Sequence, residues 1–335
     1  MNTKKHQKPD FFKALTTPSF YDEANSTIKY QESEGFWIFK TGPYVYKVIR
    51  PVGTSTSKLL LEAYAQEMVA NSNRHSPTQD SSALALVCHE DNWAFETNCS
   101  PGSADFYVVK ERQLADRGFL QLMLSKDKLK AKHLEDVAQA LWTFHETAGM
   151  AGTKGLPDAA ELTERLRDRY YQAKKHLGKT ITKTMIDLSC RPLEKALKEH
   201  KKLFGRRARK GFIGHYHGDF AARKIHWATD GVAFLGRSGD PMKDRYGDRA
   251  SDVADLCVDL EAAGKPDLAK VFLDRYIELS DDKELPLTLP IYKSLKAMKL
   301  GLKHSFALEH SEDPEADQVV AKHFFELVVG WAADL

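Results

Sequence analysis

Between about Thr27 and Glu111 apolar and polar residues alternate in short runs, TIKYQ, GFWIF, YVYKVI, ALALVC, NWAFET and DFYVVKE, bounded by glycine, proline, asparagine or charge clusters. A period of two belongs to strands that bury one face, so this stretch predicts a small sheet of five antiparallel strands. One helix interrupts it. Thr54 or Ser55 can cap a segment whose Leu60, Tyr64, Glu67 and Asn71 share one face by their three- and four-residue spacing. Glu67 is thereby set beside apolar neighbours.

Beyond Arg112 the period changes. In LEDVAQALWTFHETA, Leu134, Val137, Leu141 and Phe144 form one apolar stripe, which predicts a buried helix. Two charged helical stretches, Ala159 to Leu177 and Thr182 to Phe204, lead into GFIGHYHGDF, where Gly211 and alternating aromatics predict strand and loop. Further helices are predicted over Asp252 to Ala263, Pro266 to Leu279, Pro290 to His304 and Pro314 to Trp331, each opened by a proline or an acidic cap. A sheet-rich part with an N-terminal extension, residues 1–112, followed by a helical part, residues 113–335, predicts an α+β protein of two segregated lobes. A cleft between such lobes is the natural ligand site. Candidate chemistry falls in the loops of 215–240.

The 335 residues are 42% hydrophobic, enough for a sizeable core. Lys plus Arg number 49 against 47 Asp plus Glu, so no global field favours nucleic acid or an anionic membrane surface as partner. Cys88, Cys99, Cys190 and Cys257 lack a C-x-x-C spacing, which argues against a disulfide scaffold and a structural zinc site and suits a reducing cytoplasm. The basic N-terminus lacks the apolar stretch of a signal peptide, and no apolar run is long enough to span a bilayer.

Within that frame three features stand in a telling order. Lys47 sits in the middle of the apolar run YVYKVI, Glu67 lies on the following helix, and His217-Gly218-Asp219 opens a loop far downstream. An unpaired ammonium in an apolar strand costs several kcal/mol, so Lys47 calls for a partner. Kinases place a phosphate-holding lysine on a strand, pair it with a helix glutamate, and keep a catalytic aspartate five residues before a metal-binding asparagine.

The stretches FWIFKTGPYVYKVIRPV, EMVAN, GFIGHYHGDF and RYGDRASDVADLCVDLEAAGKPDLAKVFLDRYIE resemble the aminoglycoside-phosphotransferase-like branch of the protein-kinase-like fold, in which H-G-D replaces H-R-D. The resemblance runs from about Gly35 to Leu308 and is closest to a bacterial subgroup often fused to a P-loop ATPase domain, although no G-x-x-x-x-G-K-[ST] occurs in this sequence. It implies a bilobal kinase-like fold. Lys47 becomes the phosphate lysine, Glu67 its ion-pair partner, and Asp219, with His217 beside it, the catalytic position; Asp248 and Asp252 match a structural stretch after the metal loop.

Two positions depart from the family pattern. Lys224 stands five residues after Asp219, where the family has its metal-binding asparagine, and Gly236 follows the strand GVAFL where the family has an aspartate. Lysine has three donors and no acceptor, and glycine has no carboxylate, so neither can ligate magnesium. Asp240, four residues after Gly236, is the substitute a loop rearrangement would have to bring in, while Arg223 and Arg237 favour an anion over a metal. The expectation is a pseudokinase that holds a nucleotide, another phosphate ligand or a protein partner, with ATP as candidate cofactor, Lys47, Glu67 and Lys224 as binding residues, and without the family's magnesium ligands unless Asp240 substitutes for them. The alternative is an active ATP-dependent phosphotransferase acting on a small-molecule hydroxyl.

Other polar residues read as structural. His215 and His217 alternate on a strand but lack further zinc ligands, and His145 reads as a packed or capping residue. Arg206, Arg207, Arg209 and Lys210 read as a solvated turn, and Lys293, Lys296, Lys299 and Lys303 as a wet helix face.

Overall fold

The computed structural model describes residues 8–23, 27–33, 35–51, 57–75, 80–97, 99–147, 159–235 and 246–335, and in it every strand-like run before Arg112 forms a strand. These are β1 (Lys29–Glu32), β2 (Phe36–Lys40), β3 (Tyr44–Ile49), β4 (Ser82–His89), β5 (Asn92–Glu96) and β6 (Phe106–Arg112). They join one antiparallel sheet in the order β1-β2-β3-β6-β4-β5, six strands rather than five. The added member is the short polar β1, which needs no buried face because it pairs only with β2, from Lys29 opposite Lys40 to Glu32 opposite Trp37.

Both faces of the sheet are covered. On one side Phe36, Ile49, Ala85, Val87, Tyr107 and Val109 meet helix α2 (Lys58–His75) through Leu61 and Ala65. Leu60 is exposed; the buried stripe of this helix runs from Leu61 through Ala65, with Tyr64, Met68 and Val69 beside it. The caps expected at Thr54 and Ser55 lie outside the described residues. On the other side the N-terminal extension, with α1 (Phe12–Leu15), lays Phe11, Leu15 and Tyr21 against Phe39, Tyr46, Val48, Leu86 and Val108. Phe11 makes edge contacts with Trp37, Trp93 and Phe106, the geometry aromatic rings prefer.

The chain divides into two compact units. One holds the described residues up to Asp116 and the short stretch beginning at Thr229; the other holds Arg117–Ala228 and the described residues from Tyr246 onward. The first unit includes the stretch containing β9 (Gly231–Phe234), which the expected partition leaves with the helical part.

The second unit is mainly helical: α3 (Leu120–Ser125), α4 (Ala131–Thr147), α5 (Ala159–Ala173), α6 (Lys183–Glu199), α7 (Lys201–Arg209), α8 (Ala250–Ala262), α9 (Pro266–Ser280), α10 (Leu285–Ala307) and α11 (Pro314–Ala333). The stripe Leu134, Val137, Leu141 and Phe144 of α4 is buried as its period requires. The expected helix from Thr182 to Phe204 is two helices that meet at His200, and α10 starts at Leu285 with a proline in its first turn, carrying Pro290 inside. Short strands β7 (Ile213–His215) and β10 (Tyr246–Asp248) pair antiparallel, and β8 (Ile225–Ala228) follows the H-G-D loop.

Candidate functional site

In the first unit Lys47 lies opposite Val109 across the β3–β6 ladder, and Val45 lies opposite Glu111. Residues two apart share a face of a sheet, so Lys47 and Glu111 are diagonal neighbours, and the Lys47 ammonium donates to the Glu111 carboxylate. The partner of Lys47 is therefore Glu111 on the adjacent strand, not Glu67. Glu67 stands half-buried on α2, flanking the stripe that packs on the sheet. Glu111 was legible by the reasoning that singled out Lys47: in FYVVKER it occupies the same inward register as Tyr107 and Val109.

In the second unit the H-G-D loop is held by one face of α8. Asp252, Asp255 and Asp259 are spaced by three and four residues, which aligns them in one row along the helix. Asp252 accepts the amides of His217 at 2.5 Å and Gly218 at 2.8 Å, one on each oxygen. Asp255 accepts the amide of Phe220 at 3.1 Å, and Asp259 that of Ala222 at 2.7 Å. Gly218 turns the chain at φ 77°, a left-handed conformation open to glycine without strain. Loop amides that would otherwise be orphaned thus become charge-assisted hydrogen bonds, which are about twice as strong as neutral ones. Burial pushes all three carboxyls up; the Lys296 charge pulls against it at each, and the loop amides do so at Asp252 and Asp259.

The loop fixes both catalytic candidates. His217 is 1% exposed, and its ring Nδ1 accepts the Asp219 amide at 3.3 Å, so the imidazole braces the turn from inside. The Asp219 carboxylate, 17% exposed, meets the Arg223 guanidinium on one oxygen and the Lys296 ammonium at 3.5 Å on the other. Burial alone would raise the Asp219 carboxyl; the hydrogen bond from Arg223 and the charges of Lys296, Arg223 and Lys224 outweigh it and hold the group below its ordinary range. Lys224 closes the single 3-10 turn Ala222–Lys224 and is half-buried.

These residues do not fit a divalent cation at Asp219. Hard cations require several oxygen ligands, whereas both Asp219 oxygens face cationic side chains and Lys224 has no lone pair to offer. Gly236, Arg237 and Asp240 lie outside the described residues. Among those described, no cluster of three or more His, Cys, Asp or Glu is arranged to hold a metal.

One lysine read from the sequence as part of a wet helix face, Lys296, turns out to support this site. Lys296 is 8% exposed, and Lys293 is also buried, donating to Glu261 at 2.7 Å beside the Trp331 ring. The signal was available in IYKSLKAMKL: lysines at three-residue intervals in an otherwise apolar helix point into a core as readily as away from it. His145 is fully buried on α4; its Nε2 lies 3.0 Å from Asp252 and its Nδ1 2.7 Å from the Tyr276 hydroxyl. Burial, with the Arg249 charge, holds its pKa well below the usual histidine value, so the neutral ring donates to Asp252 and accepts from Tyr276.

A group whose folded pKa is depressed contributes stability above its unfolded pKa and loses it as pH falls toward the folded one. The stability difference between the wild type and His145→Asn is therefore expected to shrink below about pH 6.5, by up to about 1.4 kcal/mol per pH unit. Urea unfolding at a series of pH values measures it, and a difference independent of pH would remove His145 as the titrating group.

Comparison with known proteins shows the fold. No protein-family model matches the chain. In structure it is similar to a choline/ethanolamine kinase family protein from Mesorhizobium loti, with TM-score 0.53 at 12% identity over 98% of this chain and 100% of that one. It is likewise similar to a choline kinase from Cryptosporidium parvum (TM-score 0.52, 11% identity, 96% and 95% of the two chains) and to a microcompartment-associated aminopropanol kinase (0.53, 12%, 96% and 95%). The protein has the bilobal kinase-like fold that the resemblance implies, with a β-rich N-terminal unit and a large helical C-terminal one.

In sequence it is 26% identical over 178 residues to uncharacterized proteins of Mycobacterium tuberculosis and Mycobacterium bovis, a match covering 52% of this chain and 35% of theirs. The chain thus spans about a third of the length of these curated relatives. No helix among the described residues is long and apolar enough to cross a membrane.

Proposed function

We propose that this kinase-like chain is a pseudokinase, a cytoplasmic module that binds a nucleotide, another phosphate-bearing ligand or a protein partner without productive magnesium-dependent phosphoryl transfer. The observation that carries the reading is the state of Asp219. A catalytic base in phosphoryl transfer accepts the hydroxyl proton beside metal ions that neutralise the phosphates. Asp219 is instead neutralised from both sides by Arg223 and Lys296. A carboxylate held below its ordinary pKa is a poorer proton acceptor, and Lys224 puts a positive charge where a metal ligand would stand.

In this reading the candidate phosphate contacts are Lys47, balanced by Glu111, in the first unit and Lys224 in the second, and His217 holds the loop in shape. ATP is the first ligand to test. The melting temperature is expected to rise with ATP equally with and without magnesium, and the rise is expected to vanish in Lys47→Ala. Transfer of the γ-phosphate to a small molecule or protein at enzyme-like rates, abolished by Asp219→Asn, would overturn the proposal in favour of an active phosphotransferase.

A further inference from the structure

Lys296 projects from α10 into the face of α8 that carries the loop. Its ammonium lies 3.1 Å from Asp255 and 3.5 Å from Asp219, and it is nearly inaccessible to solvent. Desolvating an ammonium costs several kcal/mol, so such a group persists only where anions compensate it. The compensation is local: burial would lower the Lys296 pKa, but the charges of Asp255, Asp259 and Asp219 raise it above the ordinary lysine value.

Asp255 has a second donor in the Phe220 amide, which reaches the same Oδ2 that Lys296 approaches. Asp219 has a second donor in Arg223, but the Arg223 side chain is 47% exposed. A contact from an exposed side chain is weakened by salt. The buried contact with Lys296 is screened far less. Lys296 therefore connects the loop carboxylate to the helix that anchors the loop backbone.

We propose that Lys296 is a positioning residue acting as a built-in counter-ion, which fixes the Asp219 carboxylate against α8 with a charge from the protein where magnesium-dependent phosphoryl transfer would use a bound cation. The proposal goes beyond the ligand-binding reading, since it requires no ligand and is tested on the protein alone. A lysine serving only the acidic row of α8 would be coupled to Asp255 and indifferent to Asp219.

Double-mutant cycles on the full chain separate the two roles. Lys296→Met is expected to lower the melting temperature by several degrees, and Asp219→Asn to cost clearly less in that background than in the wild type. The coupling is expected to persist in 1 M salt, because the contact is buried. Additive effects of Lys296→Met and Asp219→Asn, with coupling confined to Lys296 and Asp255→Asn, would overturn the proposal. If Lys296→Met does not fold, the side-chain 15N resonance of Lys296 decides, assigned by its absence in Lys296→Arg. The resonance is expected to move in Asp219→Asn, and an unmoved resonance would equally overturn the proposal.

Discussion

Replacing Arg207 by methionine is expected to cost about 3–5 kcal/mol, the penalty for breaking a buried ion pair from one side. A typical domain has only about 5–15 kcal/mol to lose. The Arg207 side chain is wholly buried at the end of α7. Its Nε and one terminal nitrogen grip Asp248 at 2.7 and 2.8 Å, and the other terminal nitrogen reaches Asp282 at 2.8 Å. Asp248 ends β10 and also accepts the Ala250 amide at 2.9 Å, in the first turn of α8. One guanidinium thus joins α7, β10, the α9–α10 turn and the start of the helix that carries the loop-anchoring carboxylates.

Methionine restores much of the volume but leaves two carboxylates in a dry interior. Burial already pushes the Asp282 carboxyl up, with Arg207 the main force against it. Arg207→Lys keeps a charge but cannot reproduce the bidentate fork, so it is expected to be destabilised as well, though less than methionine. Adding Asp248→Asn to Arg207→Met is expected to recover part of the loss. Urea unfolding followed by circular dichroism measures all three; a cost below about 1 kcal/mol for Arg207→Met would mean that the triad contributes little net stability.

The residues that the sequence made legible are those whose signal is local. Alternation marked the strands, and the 3.6-residue stripe marked α4, because a strand or helix buries one face wherever it packs. Lys47 stood out because a charge inside an apolar strand demands a partner. Which partner it takes depends on strand order: Glu111 is close because β6, the last strand of this sheet in sequence, inserts beside β3. Arg207 and Lys296 carry a misleading local signal for a related reason. Each sits in a charged local context that looks solvated, and each is buried by an element distant in sequence. The acidic row of α8 lies between these cases: its three- and four-residue spacing was visible in DVADLCVDLE, but its role is defined by a loop more than thirty residues earlier in the chain.

Replacing Asp252 by alanine is expected to release that loop. The carboxylate takes two backbone amides and the His145 ring, and it is fully buried. Each donor left without an acceptor costs roughly 1–3 kcal/mol, so the variant faces a loss comparable to that of Arg207→Met but localised to residues 217–219 at first. Hydrogen exchange distinguishes the two: amides of His217 and Gly218 are expected to lose most of their protection in Asp252→Ala, while those of α4 lose it only through global unfolding.

Asp252→Asn is the sharper variant. One oxygen can still serve one amide, but the new NH2 group points a donor at a donor. The remaining pair is therefore repulsive, and the exchange at one of the two loop amides should resemble that of the alanine variant. Unchanged protection at both amides in Asp252→Ala would mean that Asp255 and Asp259 hold the loop without it. Loss at Gly218 with retention at Phe220 would instead assign each carboxylate of the row its own segment of backbone. Asp219 lies between those two anchors, and its approach to Lys296 depends on both.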